Sequence, residues 1–282
     1  MAQRPRRSWL LVLTADDRKV EKAASGNADV LILDLSDSVT PALKEMTRKR
    51  VVNWFTSGHP FGNKHLVIKP NNLHSEWGRA DMEAFAGLSP TAIYYPEAKS
   101  AEEVQIVCDM LDATGSSSEI VVLLETARSF INLKELCTVR RVTTLCHAQG
   151  DLAVNLGATL TDSRETLLYT ASKTVLHARA YGLDAIDTIL PSNLRDADLT
   201  MSYVEGSRRL GFTACSTFYA PHIDTINAVF SPTAAEIEGA RQVVQNYEIV
   251  KQQGRAAYVK EDGSWVTVHQ YKQAQDLLAI YG

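Results

Sequence analysis

A chain of 282 residues is about twice the usual domain length, enough for two domains or for one large α/β barrel. Its 45% hydrophobic and 22% charged residues match ordinary globular proteins, which excludes a disordered, collagenous or disulfide-scaffold chain. The 29 basic and 33 acidic residues leave a formal charge of -4, so the basic excess that phosphate binding requires is absent and no nucleic-acid partner is expected.

The basic start through Arg6 and Arg7 is followed by an apolar run over only 9–13, too short for the core of a signal peptide. It reads as an arm, residues 1–7, leading into a first strand over 8–13. From there strand-length apolar runs alternate with longer amphipathic stretches. Helical patterns at 16–25, 41–55, 80–85, 100–113, 127–136, 163–181, 200–210 and 231–252 alternate with strands at 29–34, 65–69, 91–95, 120–125, 142–147, 185–190 and 211–217. Pro41 suits a helix start and Gly182 a helix stop. Eight strands, each followed by a helix and each almost continuously apolar, predict an α/β fold of the (β/α)8 TIM-barrel type over 1–252. The structural alternative, a doubly wound open sheet, lacks its G-x-G-x-x-G turn after the first strand. Residues 253–282 predict a small C-terminal appendage, a hairpin over 258–268 and a helix over 270–281.

Cys108, Cys137, Cys146 and Cys215 form no C-x-x-C pair and read as buried, reduced thiols of an intracellular protein. No apolar run reaches the roughly 18–20 residues that span a bilayer, so no membrane role and a cytoplasmic location are expected.

Barrel chemistry sits at the C-terminal ends of the strands. Those ends offer Asp34 and Asp37, Lys69, Glu97, Glu125, His147 with Asp151, and His222. Glu125 and Asp151 lie one strand–helix unit apart, which would aim both carboxylates at one mouth. Such a pair suits Mg2+, which takes oxygen ligands and keeps several waters. Alternatively, each caps the helix that follows it. Lys69 can hold a substrate carboxylate as a point charge, or can pair with Glu97 or Asp34. His147 and His222 have no second histidine at helical ligand spacing and read as structural. No G-x-S-x-G elbow supports serine catalysis.

In order along residues 7–270, these features resemble the citrate lyase beta subunit-like branch of the HpcH/HpaI aldolase/citrate lyase family. The anchors are Ala28-Asp29-Val30-Leu31-Ile32-Leu33-Asp34-Leu35 with Asp37, Trp77-Gly78-Arg79, Leu124-Glu125-Thr126-Ala127-Arg128, Gly150-Asp151-Leu152, Ala178-Arg179-Ala180-Tyr181-Gly182 and Phe230-Ser231-Pro232-Thr233. The resemblance implies a barrel that assembles as a homotrimer or homohexamer and binds Mg2+ through Glu125 and Asp151. It implies a lyase reaction that joins or splits a 2-oxo acid and an acyl thioester such as an acyl-CoA. Asp34, Asp37 and Lys69 are then the catalytic candidates. Lys69 with Ala148, Gln149 and Gly150, whose backbone N–H groups open a helix, would bind the substrate carboxylate.

Several positions depart from the family pattern. Val12-Leu13-Thr14 replaces Val-Pro-Gly, Ser36 replaces a glutamate, and Lys69 stands where relatives carry arginine. Pro96-Glu97-Ala98-Lys99 reverses the signs of Pro-Lys-Val-Glu, and Tyr219-Ala220 replaces His-Pro. In the tail, Thr267 replaces the aspartate of thioester-hydrolysing relatives, which argues against hydrolysis. The expected function is a Mg2+-dependent carbon–carbon lyase cleaving a 3-hydroxyacyl thioester of the malyl-, citramalyl- or citryl-CoA type. The alternatives are a 2-oxo-acid aldolase that does not use CoA, and a non-catalytic binding or regulatory homologue.

Overall fold

A computed structural model describes residues 5–282; Met1–Arg4, the greater part of the predicted N-terminal arm, lie outside the described residues. Contacts divide the chain into two compact units, Arg6–Phe230 and Ser231–Gly282.

The first unit is a closed barrel of eight parallel strands in sequential order. The strands are β1 (Ser8–Leu13), β2 (Val30–Asp34), β3 (His65–Lys69), β4 (Ala92–Tyr95), β5 (Glu119–Leu124), β6 (Val142–His147), β7 (Asp184–Thr188) and β8 (Ala214–Thr217). All eight predicted strands are present, with ends shifted by at most a few residues. Around them run α1 (Asp17–Ser25), α2 (Lys44–Ser57), α3 (Gly78–Phe85), α4 (Ala101–Ala113), α5 (Ala127–Ile131), α6 (Leu133–Leu136), α7 (Gln149–Leu156), α8 (Leu168–Tyr181), α9 (Ala197–Leu210) and α10 (Ile223–Val229).

Local chemistry explains the ends of these helices. Asp16, Ser100, Thr126 and Asp196 each accept a bond from a backbone N–H in the first turn, satisfying donors that a helix start leaves unpaired. Gly182 and Gly211 close α8 and α9 in the left-handed conformation. Pro41 opens a short 3-10 turn, Pro41–Leu43, that feeds α2. Asn132 interrupts the helix predicted over 127–136, and its side chain donates to the Lys99 carbonyl at 2.8 Å.

Strand side chains alternate between two hydrophobic layers. Val30 and Ile32 on β2, Val67 on β3, Tyr94 on β4, Val121 and Leu123 on β5, and Cys146 on β6 fill the barrel interior. Their neighbours Leu31, Leu33, Leu66, Ile68, Ile93, Val122, Leu124 and Leu145 pack outward under the helices. This parity decides where the next polar residue on each strand points.

The second unit contains α11 (Ala234–Gln252), the hairpin β9 (Ala257–Val259) and β10 (Trp265–Thr267), and α12 (Val268–Tyr281). Ala240, Val243 and Tyr247 of α11 bury a small core with Val266 and Ala274. The helix that closes the eighth barrel repeat is therefore the short α10. The long helix after it groups with the hairpin, so the compact boundary falls at Phe230/Ser231, ahead of the predicted one at 252/253. Among the described residues no helix is long and apolar enough to cross a membrane. All four cysteines are free and buried.

Candidate active site

Extending the inward parity by one step places three polar residues at the barrel mouth. Asp34 follows Ile32, Lys69 follows Val67, and Glu125 follows Leu123; all three line a cavity of about 410 Å3. Asp37, Ala148, Gly150 and Asp151 line the same space. A second cavity of about 510 Å3 lies on the β2–β5 side and shares Asp37, Glu125 and Asp151 with the first. The site therefore has two lobes meeting at three carboxylates.

Glu125 is 4% exposed, and its Oε2 accepts a 2.7 Å bond from the backbone N–H of Glu97. To make that bond, Glu97 adopts φ +50, a left-handed conformation that is costly for a residue with a Cβ. The other oxygen of Glu125 lies 4.0 Å from Lys69 Nζ. Burial pushes the Glu125 carboxyl up to about 7; Lys69 opposes this and the charge of Asp151 reinforces it. Asp151 is solvent-facing but also raised, by partial desolvation together with the charges of Asp37 and Glu97. Neither acid is a helix cap: Thr126 caps α5 and Ala148 holds the cap position of α7.

Lys69 donates to Asp37 Oδ2 at 2.8 Å and makes no ion pair with Glu97, which pairs with Lys99 at 2.9 Å. Burial would lower the Lys69 ammonium, but Glu125, Asp34 and Asp37 together hold it above the ordinary lysine range. Asp37 is lowered, because Lys69 outweighs its partial burial. Asp34 is turned into its own loop, accepting from the Ser36 N–H and hydroxyl at 2.9 Å each and from the Ser38 N–H at 3.2 Å.

Gln149 does not line either lobe. Its amide donates to Asp187 Oδ1 and to the Thr188 carbonyl, and its Oε1 accepts from the Tyr203 hydroxyl. Only its backbone remains available toward the mouth, at the start of α7, where first-turn N–H groups have no intrahelical partner. His147 has the outward parity, so it packs beneath the helices, 3.0 Å from Asp187 and 3.0 Å from Thr170. His222 is held between Thr217 and the Leu194 carbonyl. Both histidines are structural, as their spacing predicts.

Lys44 is a site residue that end-of-strand reasoning misses. It is buried, and its Nζ donates to the Leu35 carbonyl (2.8 Å), the Ser36 carbonyl (2.7 Å) and Asn71 Oδ1 (2.6 Å). Asn71 in turn donates to Asp81, which accepts from Arg48. This chain of bonds fastens the loops after β2 and β3, the loops that present Asp37 and follow Lys69. Gly78 beside it is obligatory: a Cβ there would lie 1.9 Å from the Asn72 carbonyl oxygen. The sequence signal for Lys44 is weak, a lysine in the first helical turn behind Pro41.

The mouth cavity thus sets four carboxylates, Asp34, Asp37, Glu125 and Asp151, against one ammonium, Lys69. That excess of negative charge is costly when partly buried. Glu125 and Asp151 offer hard oxygen donors beside open space, so the residues present fit a divalent cation such as Mg2+.

Comparison with known proteins gives the family of the chain. The pattern of the HpcH/HpaI aldolase/citrate lyase family matches residues 7–220. A (3S)-malyl-CoA thioesterase of Cereibacter sphaeroides is 29% identical over 255 residues, covering 90% of this chain and 87% of that one. The mitochondrial citramalyl-CoA lyase of Homo sapiens is 28% identical, covering 98% and 85%. Among solved structures, the CitE protein of Mycobacterium tuberculosis in complex with magnesium, acetoacetate and coenzyme A has a TM-score of 0.77 at 22% identity, covering 98% of each chain. RipC from Yersinia pestis has a TM-score of 0.68 at 26% identity, covering 82% of this chain and 97% of its own.

Proposed function

This chain belongs to the HpcH/HpaI aldolase/citrate lyase family, and we propose that it is a Mg2+-dependent carbon–carbon lyase cleaving a 3-hydroxyacyl thioester into a 2-oxo acid and an acyl thioester. The observation that carries this reading is the pair Glu125, at the inward end of β5, and Asp151, in the first turn of α7, which line one barrel-mouth cavity under-neutralised by the single ammonium of Lys69. Mg2+ held by these two carboxylates would supply Lewis-acid polarisation of the oxo-acid oxygens. Lys69 offers its charge to the substrate carboxylate, assisted by the N–H groups at Gly150 and its neighbours. Asp37, kept ionised by Lys69, is placed to accept the proton of the substrate hydroxyl as the C–C bond breaks. The electron pair of that bond passes to the α-carbon of the thioester, which takes up a proton in turn, the one held by Asp37 returning to it directly or through solvent. Asp34 holds the loop that presents Asp37. The tail position that hydrolysis needs is spent elsewhere, since Thr267 caps α12 with Gln270, which favours lyase over thioesterase chemistry. The apolar end of β1, with Leu13 where relatives have proline, supports a second reading, a 2-oxo-acid aldolase that does not use CoA. The family resemblance also supports a homotrimer or homohexamer.

The test is thermal stability with Mg2+ and a 2-oxo acid, separately and together, since a ligand specific for the native state raises the midpoint by mass action. A rise that needs both, and is absent in Glu125→Ala, is the expected result. No shift with glyoxylate, pyruvate or oxaloacetate would favour the non-catalytic homologue.

A further inference from the structure

The mouth cavity has two unlike halves. Strands β2 to β6 contribute Asp34, Lys69, Glu125 and, through the first turn of α7 after β6, Asp151. Strands β7, β8 and β1 are consecutive around the closed barrel, and the arc they form contributes Leu190, Phe218, Leu11 and Leu13 to the same cavity. No charged group lines this second arc. Phe218 is 49% exposed and Leu13 37% exposed; both line the cavity of about 410 Å3, and both also border a smaller one of about 90 Å3 that Lys19 and Lys22 share. The hydroxyls of Thr188 and Ser216 beneath them lie 3.2 Å apart, Thr188 also lies 3.8 Å from Cys146 Sγ and Ser216 bonds to Tyr94, so each has protein partners of its own. A substrate whose carboxylate and hydroxyl engage the charged arc has the apolar arc beside its reacting carbons, while the second lobe gives room for the thioester chain.

We propose that the arc formed by Leu11, Leu13, Leu190 and Phe218 is a specificity wall, and that the substrate carries an alkyl substituent longer than methyl next to the bond that is cleaved. The inference rests on the lyase reading and narrows its substrate class. The alkyl group belongs either to the 2-oxo acid or to the acyl half. Each methylene laid on such a wall improves binding by about fourfold when its surface leaves water completely.

Calorimetric titration of the full chain with Mg2+ and glyoxylate, pyruvate, 2-oxobutanoate, 2-oxopentanoate and 3-methyl-2-oxobutanoate reads the wall directly. A parallel series measures condensation with acetyl-, propionyl- and butyryl-CoA. The expected result is a rise of about threefold to fourfold per added methylene in one of the two series, which also names the half that carries the alkyl group. In Leu13→Ser and Phe218→Ser, both at partly exposed positions, that slope flattens. Preference for the smallest member in both series, or a slope unchanged in both variants, would overturn the wall while leaving the lyase reading intact. Absence of Mg2+-dependent binding by any oxo acid would instead remove the lyase reading, and the wall with it.

Discussion

Glu125 and Asp187 are both buried carboxylates of one barrel, yet their surroundings drive them in opposite directions. Asp187 has the outward parity on β7 and meets His147 at 3.0 Å, Gln149 at 2.9 Å, Ser207 at 2.6 Å and the guanidinium of Arg164. Burial alone would raise its carboxyl, but the bonds from His147 and Ser207 and the Arg164 charge bring it below the usual range. Glu125 has the inward parity and keeps one backbone bond and one lysine at 4.0 Å, so burial wins and the carboxyl rises. The satisfied acid ties strands to helices. The unsatisfied one is left with binding capacity, which is what a ligand site requires.

Asp187→Ala should produce the largest change, a loss of about 3–5 kcal/mol in denaturant unfolding, because Arg164 is left without its buried partner. An effect below about 1 kcal/mol would show that the outward network is dispensable and would erase the contrast.

The second test is pH in the presence of a chelator. Because Glu125 is raised in the folded state, to about 7 from an ordinary 4.5, its contribution is fully present below about pH 4.5 and is lost as pH rises through about 7. The amount is on the order of 3 kcal/mol. Wild type should therefore lose more stability than Glu125→Gln between pH 5 and 8, measured as unfolding midpoints. Asp187, lowered in the folded state, contributes with the opposite sign: its share is present above about pH 4 and is lost on further acidification.

Lys44 is an intermediate case, a buried ammonium satisfied by three neutral oxygens. Lys44→Met strands those acceptors and should cost about 2 kcal/mol. Chemical denaturation checks the loss, and a neutral outcome would mean that the β2 and β3 loops are fastened elsewhere. The smallest effect concerns Glu97. Glu97→Gly relieves the left-handed strain and should add about 0.5 kcal/mol of stability, the exposed pair with Lys99 being worth little. Any loss of Mg2+ response in that variant would tie the strain to holding Glu125.

Much of the site is legible from the polar residues that end the apolar strand runs, among them Asp34, Lys69 and Glu125. Alternation states that Val121, Leu123 and Glu125 share one face and that Cys146 and His147 take opposite ones, but the strands are almost continuously apolar, so only the closed barrel decides that the first three point inward and His147 outward. Gathering every polar residue at a strand end, without that parity, mixes the two kinds and admits Gln149, whose side chain belongs to the Asp187 network. Two helices, α7 and α10, escape periodicity because each is only two turns long, and α7 begins in the polar run that carries Asp151. The grouping of α11 with the hairpin escapes it too, since an amphipathic pattern states which face is buried but not against what.

The eightfold alternation, the strand positions and the identity of the acids at the mouth follow from the chain itself, because strand runs, caps and stop residues act over a few neighbours. The closed tertiary structure alone decides the rest: the division of the mouth into a charged and an apolar arc, the pairing of Lys69 with Asp37, the three-oxygen cradle of Lys44, and the raised carboxyl of Glu125 beside the lowered one of Asp187. Each depends on groups brought together from separate strands, and electrostatic and desolvation energies are set by those distances and by how much water closure leaves behind.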